Sequence, residues 1–512
     1  MPSVPMDTGR LPARTMAHGN LAQGAALVGA VGSVLVLIAR SRWPLVLGFL
    51  ALVLAEAGLG VALVPHHDLV RLHTPLHLAA GVAALVALAG VTFFFVRYPE
   101  IVPVALLLAA PFRLPVNLST RQVFLLVPLY FVLAAASIAL LVRAFRGPVT
   151  SLPKGLALAA GGFAACDALS LVWALDLQAG SIELAFFIFP FAALLAVLAR
   201  SPFAEWLPKA LAVTLVGLAC VFAAIGLWQE KTRTVFFAQD LRVANVYSSF
   251  FRVTSVFKDP SIYGRHLVLA IAVLLVLLWL GRVQFVVAAA AIVLIFAGLY
   301  YSYSQSSMAV LFAMALVITL VLGDRMSRRI VAAVAVVSIL AAGAFGVKVL
   351  SEHSLRHSTS GRSRLVAVTF RVIRDHPLVG AGVGSQPLAS HNDAKTKLGA
   401  KKDASHTTPL TVLAELGVVG GALYVALLVV AARLLTRVIR ERERALGFSL
   451  AAGFLVLVLH SLFYSGFFED PITWGILGVA AASLVGLGVG AATLEQRADG
   501  TEPGAAAEPG TL

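Results

Sequence analysis

The chain has 512 residues, of which 60% are hydrophobic and only 12% charged, and its mean hydropathy is +0.92. A soluble protein of this length needs far more charge to cover its surface, so composition excludes that class and leaves an all-α polytopic membrane protein. The formal net charge of +14 reflects either cytoplasmic Lys and Arg obeying the positive-inside rule or a site for an anionic, phosphorylated substrate, and the positions of the charges decide between them.

Residues 1–20, with Arg10 and Arg14, lead into an apolar segment too long for a signal-peptide core, which reads as a first membrane helix. Windows long enough to span fall near 20–39, 44–64, 76–96, 101–118, 122–145, 154–175, 180–199, 207–228, 262–281, 283–302, 306–323, 330–350, 408–432, 446–466 and 473–493. The window at 101–118 is the weakest, because Pro103, Pro111, Arg113 and Pro115 interrupt it. About 12 to 15 transmembrane helices are therefore expected. They divide into membrane helices over 1–349 with an external loop at 230–261, a large external loop at 350–407, C-terminal membrane helices over 408–493, and a disordered cytoplasmic tail at 494–512. The two cysteines, Cys166 and Cys220, lie in apolar segments, which excludes a disulfide framework and a CxxC metal site.

Alternating connectors place Arg40/Arg42, Arg97, Arg143/Arg146/Lys154, Arg200/Lys209, Arg282, Arg325/Arg328/Arg329 and Arg433/Arg437/Arg440/Arg442/Arg444 on one side, the expected cytoplasmic side. That alternation puts Arg10 and Arg14 outside, so either the N-terminus is translocated or an early window does not cross. Two loops on the external side are basic despite the rule. Glu230–Ser261 carries Lys231, Arg233, Arg242, Arg252 and Lys258, and Leu350–His406 carries a larger set. Long loops translocate regardless of charge, so an indifferent solvated loop competes with an outward anion site. Within the larger loop, Arg362–His376 has helical spacing, with Leu365, Val366, Thr369, Val372 and Ile373 on one side and Arg364, Arg371 and Arg374 on another, an amphipathic helix suited to the membrane interface. Pro377 ends it. The run Gly380-Ala381-Gly382-Val383-Gly384 follows no strand, so its glycines are read as permitting close backbone approach rather than as a phosphate loop.

Three separated motifs resemble the O-antigen ligase and O-antigen polymerase superfamily of bacterial envelope glycosyltransferases. Arg252-Val-Thr-Ser-Val-Phe-Lys-Asp-Pro-Ser-Ile-Tyr-Gly264 is similar to the family's arginine and Asn/Asp-Pro turn leading into a membrane helix. Gly361-Arg362 through Asp375-His376-Pro377-Leu378-Val379-Gly380-Ala381-Gly382-Val383-Gly384 is similar to its helix and "DHPLLGVGPG" turn. His406, followed nine positions later by Glu415-Leu416-Gly417, is similar to its "HN…AELG" helix start, and Asp167–Trp173 and Tyr303–Ser307 match more loosely. The resemblance covers roughly residues 160–430. Thr407 stands where the family has Asn, and Gln305 where many members have an arginine, which removes one expected phosphate-binding charge.

The resemblance implies a C-type glycosyltransferase-like fold and transfer of a glycan from undecaprenyl diphosphate to an acceptor hydroxyl on the outer face of the bacterial cytoplasmic (inner) membrane. A diphosphate leaving group gains charge in the transition state, and arginine offers a permanently charged planar fork to hold it. Arg252, Arg265, Arg362 and Arg364 are the candidates. An acceptor hydroxyl benefits from a base, and a histidine takes a proton near neutral pH. His406 is the choice, with helix capping as its structural reading; His391 competes but lies too far from Glu415-Leu416-Gly417. Glu415, Gln305 and Asp259 are supporting residues. Paired carboxylates at metal-ligand spacing are absent from the external loops, so a metal-independent reaction without cofactor is expected, with membrane lipids and a lipid- or glycan-linked acceptor as partners and no nucleic acid. A polymerase of lipid-linked repeat units is the alternative to a ligase. A flippase or transporter, for which Glu56, Asp167 and Glu183 are available, should show repeated halves, and no internal repeat is visible. A structural scaffold leaves the basic, histidine-bearing loop unexplained.

Overall fold

The computed structural model describes residues 13–64, 75–118, 121–352, 362–394 and 404–498. The chain runs through α1 (Ala13–Ile38), α2 (Arg42–Leu63), α3 (Pro75–Arg97), α4 (Val102–Ala109), strands β1 (Leu114–Leu118) and β2 (Arg121–Leu125), α5 (Val127–Arg146), α6 (Lys154–Ser170), α7 (Leu177–Glu183) and α8 (Phe189–Leu198). It continues through α9 (Leu207–Thr232), α10 (Gln239–Val246), α11 (Pro260–Trp279), α12 (Phe285–Ser302), α13 (Gln305–Leu322), α14 (Arg325–Glu352), α15 (Arg362–Asp375), α16 (Gln386–Ala394), α17 (Thr408–Glu441), α18 (Arg444–Ser461) and α19 (Pro471–Ala498).

Among the described residues 12 helices are long and apolar enough to cross a membrane, which makes the chain an all-α multi-pass membrane protein. The spans are apolar on most faces, so burial rather than patterning separates central from peripheral ones. The span Leu177–Leu198 is 83% buried and Pro260–Trp279 is 78% buried, whereas Ala79–Arg97 at 6% presents its sides to lipid. The former is continuous through α7 and α8 by way of a π-helical turn at Leu184–Ile188, immediately after Glu183. Such turns insert a residue and rotate the side chains that follow.

The window at 101–118 does not cross as one helix. Its helix stops at Ala109, and Leu114–Leu118 pairs antiparallel with Arg121–Leu125 as a hairpin. Pro111 and Pro115 lack the N–H groups that a continuing helix requires, and Arg113 between them finds a polar partner described below.

The segment after α15 docks on a break in α17. Gly417 interrupts α17 with φ +62° and ψ −160°, a conformation essentially reserved for glycine. The break frees backbone groups that the bilayer cannot hydrate. The turn after α15 satisfies them: Val418 N–H donates to the Pro377 carbonyl at 2.9 Å and Val419 N–H to that of Leu378 at 3.3 Å. In return, Ala381 and Gly382 donate to the carbonyls of Ala414 and Glu415, both at 2.8 Å. The other flank of the turn meets the α6–α7 connector, where Val383 N–H donates to Ser170 Oγ (2.9 Å) and Leu175 N–H to the Ala381 carbonyl (3.2 Å). The glycines therefore serve close backbone approach, since a Cβ on Gly380 would stand 2.1 Å from the Glu415 carbonyl carbon.

The amphipathic helix falls where spacing predicts it, over Arg362–Asp375. Val368, Thr369 and Val372 are buried against its neighbours α16 and α17, and Phe370 points outward. Arg371 pairs with Asp393 of α16 at 2.6 Å. Parts of the expected external loop at 350–407, and the end of the tail at 494–512, lie outside the described residues.

Candidate functional site

His406 lies exposed in the bend just before α17. Its neighbour Ser405 is fixed by Gln386, the first residue of α16. The Gln386 side-chain oxygen accepts from Ser405 N–H at 2.8 Å, and its amide nitrogen donates to Thr369 Oγ1 (3.2 Å) and Ser390 Oγ (2.8 Å). The Gln386 backbone N–H donates to Glu415 Oε1 at 3.0 Å. One buried residue thus ties together the basic helix, the His406 bend and the helix carrying Glu415. Glu415 is joined to the His406 bend through Gln386.

A cavity of about 250 Å³ opens beside Ser405 and Thr408. Asp167, Glu183, Glu415 and Glu469 line it, over a base that includes Phe163, Phe467 and Phe468. Asp167 comes from α6, Glu183 from the last turn of α7, and Glu469 from the α18–α19 loop.

Arg252 and Arg265 do not line this cavity. Arg265 is buried and its Nη2 lies 2.6 Å from Asp470 Oδ2, itself 1% exposed. Asp470 also caps α19, accepting from Ile472 N–H at 2.9 Å. Burial works to raise the Asp470 carboxyl, but Arg265, then His266, the Ile472 N–H and Arg113 outweigh it and hold the group below the usual aspartate range. Arg252 is half-buried, its Nε donating to the Ser302 carbonyl at 3.3 Å and its backbone held on both sides by the Asn245 amide. Burial pulls its guanidinium below the ordinary arginine range, and the Asp259 carboxylate acts in the opposite direction. Asp259 caps α11, accepting from Ser261 N–H at 2.6 Å. Gln305 is exposed at the start of α13. Arg364 is half-buried on α15, on the α16–α17 flank; the side chain of Arg362 lies outside the described residues.

Tyr464 connects the two halves. Thr408 Oγ1 donates to its carbonyl at 3.4 Å, and its ring stands 5.9 Å from that of His460. Burial, with Asp259 and Glu469 nearby, pushes the Tyr464 phenol up, against the opposing pull of Arg265 and Arg113. Arg113 was legible only as an interruption of a weak span. Its Nη2 donates to the Glu469 carbonyl at 2.9 Å, and its guanidinium stands 5.7 Å from the Phe187 ring. An arginine in an otherwise apolar stretch was the signal that marked it. Gln386, Glu469 and Asp470 gave no comparable signal, being short-range polar residues in loops and helix starts.

A second cavity, of about 770 Å³, is almost wholly apolar. It runs between α4, α9, α11, α18 and α19, from Lys209, Arg282 and Glu443 at one end to Pro471, next to Asp470, at the other.

Residues 290–425 match the O-antigen ligase family. The match takes in Tyr303–Ser307, α15, the glycine turn, His406 and Glu415, and starts after the Arg252 motif. No curated protein matches the chain. The matched segment is less than a third of the chain, and over that segment the chain is similar to the O-antigen ligase family.

Proposed function

With the O-antigen ligase superfamily as premise, we propose that this protein transfers a glycan from undecaprenyl diphosphate to an acceptor hydroxyl at the outer face of the cytoplasmic membrane, as a ligase. The acceptor oxygen attacks the anomeric carbon, the bond from that carbon to the diphosphate oxygen breaks, and the acceptor proton passes to His406. Arg252 meets the diphosphate, joined by Arg113 and by Arg364 and Arg362 of α15. Arg265 is already balanced by Asp470, so its share in binding requires that it exchange this partner for the diphosphate. The apolar cavity ending at Pro471 suits a hydrocarbon carrier.

The observation that carries the reading is the Gln386 assembly, which holds the bend bearing His406 against Glu415 at the polar end of a membrane bundle. The test is transfer from a purified polyprenyl diphosphate glycan by the full chain, with and without EDTA, comparing wild type with His406→Ala. Loss of a general base should lower kcat by about 10²- to 10⁴-fold. Undiminished transfer by His406→Ala removes the histidine as base, and abolition of wild-type transfer by EDTA removes the metal-free scheme. Parallel reactions with a lipid A core acceptor and with a second lipid-linked glycan separate ligase from polymerase.

A further inference from the structure

The acidic cavity beside His406 has no part in the chemistry assigned above. Asp167 is 4% exposed, and among the described residues no donor reaches its carboxylate or that of Glu183. Glu415 differs, being held by the Gln386 N–H. Asp167 is thus buried and Glu183 half-buried, each without a donor, which is costly inside a membrane protein and signals a ligand that supplies donors.

The walls narrow the chemistry of that ligand. Among the described residues no Arg or Lys lines the cavity, so a diphosphate placed there would meet their acidic side chains. The carboxylates do not converge on a point either: among the described residues no three His, Cys, Asp or Glu side chains are placed to hold a metal ion. What remains is a set of separated acceptors around a chamber whose base is aromatic, with Phe163 and Phe468 stacked 4.0 Å apart. A sugar ring has that complementary pattern, with hydroxyl donors around its edge and carbon on its faces. At about 250 Å³ the chamber falls below the roughly 300–1,000 Å³ of sites for drug-sized ligands, which fits one sugar residue rather than a chain.

We propose that this cavity binds the acceptor sugar, with Asp167 and Glu183 accepting from its hydroxyls and the aromatic base carrying its apolar face. The assignment rests on the glycosyl-transfer reading. Ser405 and Thr408 line the chamber on either side of His406 in sequence, so the acceptor hydroxyl is presented to the base. The donor, tied to its diphosphate, is kept out by the carboxylates.

The test is Asp167→Asn and Glu183→Gln in the full chain reconstituted in nanodiscs. Neither side chain has a donor to lose, so both variants are expected to fold with wild-type thermal stability. Acceptor KM should rise about tenfold, for weakening of one hydrogen bond to the sugar, with donor KM and kcat within about twofold. Unchanged acceptor KM overturns the subsite and leaves the transferase reading standing; a rise in donor KM alone overturns the acceptor assignment. If wild type transfers nothing, the transferase reading fails, and saturation-transfer NMR with methyl glycosides of glucose, galactose and N-acetylglucosamine decides the subsite. Signal that disappears in Asp167→Asn sustains it, and no signal from any of the three sugars, or equal signal in the variant, overturns it.

Discussion

Gly417→Ala tests whether the helix break builds the site. A Cβ at this position would lie 2.3 Å from both the carbonyl carbon and oxygen of Leu378 and 2.6 Å from the Val379 nitrogen. All three are backbone atoms, so no rotamer change relieves the contact. The conformation itself adds strain of about 1–3 kcal/mol for a non-glycine residue. The cheaper escape is to release the turn from α17, which breaks the four backbone bonds made by Val418, Val419, Ala381 and Gly382. At about 0.5–1.5 kcal/mol each in water this costs about 2–6 kcal/mol, and more where no water replaces them. Thermal unfolding in detergent should therefore shift clearly downward, and amide exchange should rise in peptides covering 377–386 and 404–419. Transfer activity should fall with them, because Gln386 moves with the turn. Gly217→Ala is the control: nothing lies within 4 Å of its Cβ position, and stability should hold or rise. Wild-type stability and unchanged protection of Ala381 and Gly382 in Gly417→Ala would refute the docking.

Gln386→Ala should lower kcat more than it raises either KM and should speed exchange at Ser405. The cost in stability is about 1–3 kcal/mol, since the Ser405 N–H and Glu415 carboxylate region is buried; an equal rate in the variant would show that the tether does not position His406. Arg265→Ala leaves Asp470 buried without its partner and should cost about 3–5 kcal/mol, much of it recovered in Arg265→Met/Asp470→Leu, as read by thermal unfolding. The Asp470 carboxyl is held below its ordinary value of 3.8, so its contribution is complete above that value and is lost as pH falls through the lower folded one. Acid unfolding below about pH 4 should accordingly flatten in Asp470→Asn, and an unchanged acid limb would count against the pair.

The scaffold was legible because the bilayer imposes a length and an apolar composition on every crossing. The amphipathic helix was legible because Thr369, Val372 and the arginines keep a helical period, and the glycine run because Gly380, Gly382 and Gly384 cluster; the burial of Val368 was not read from the sequence. What resisted reading was partnership across distance. Arg265 reads as an unpaired charge until Asp470, far along the chain, is seen against it. Asp167 and Glu183 read as isolated membrane carboxylates, and only the docking of α6 and α7 on the glycine turn brings them to the same chamber as Glu415. Gln386 carries no periodic or compositional mark, because its role is set by three hydrogen bonds, to Thr369, Ser405 and Glu415, in segments that no local rule places together.

The same partnerships sort the polar groups by sign. Glu469 faces the acidic chamber with its side chain, while its carbonyl accepts from Arg113; Asp470, the next residue, turns to Arg265. The α18–α19 loop therefore divides the acidic chamber on one side from Arg113 and the Arg265–Asp470 pair on the other. Substrate parts of opposite character would be sorted by that boundary: a diphosphate is repelled from the chamber, and a neutral sugar gains nothing from the arginines. In the proposed reaction the bond joining the two would form at the boundary itself, near the contact of Thr408 with Tyr464 that follows the His406 bend. This makes Tyr464→Phe and Tyr464→Ala informative together. The backbone carbonyl that Thr408 reaches is kept in both, so the phenylalanine variant should retain transfer, whereas the alanine variant opens the partition and should raise the KM of donor and acceptor alike; selective loss of one substrate would show that the loop belongs to a single subsite.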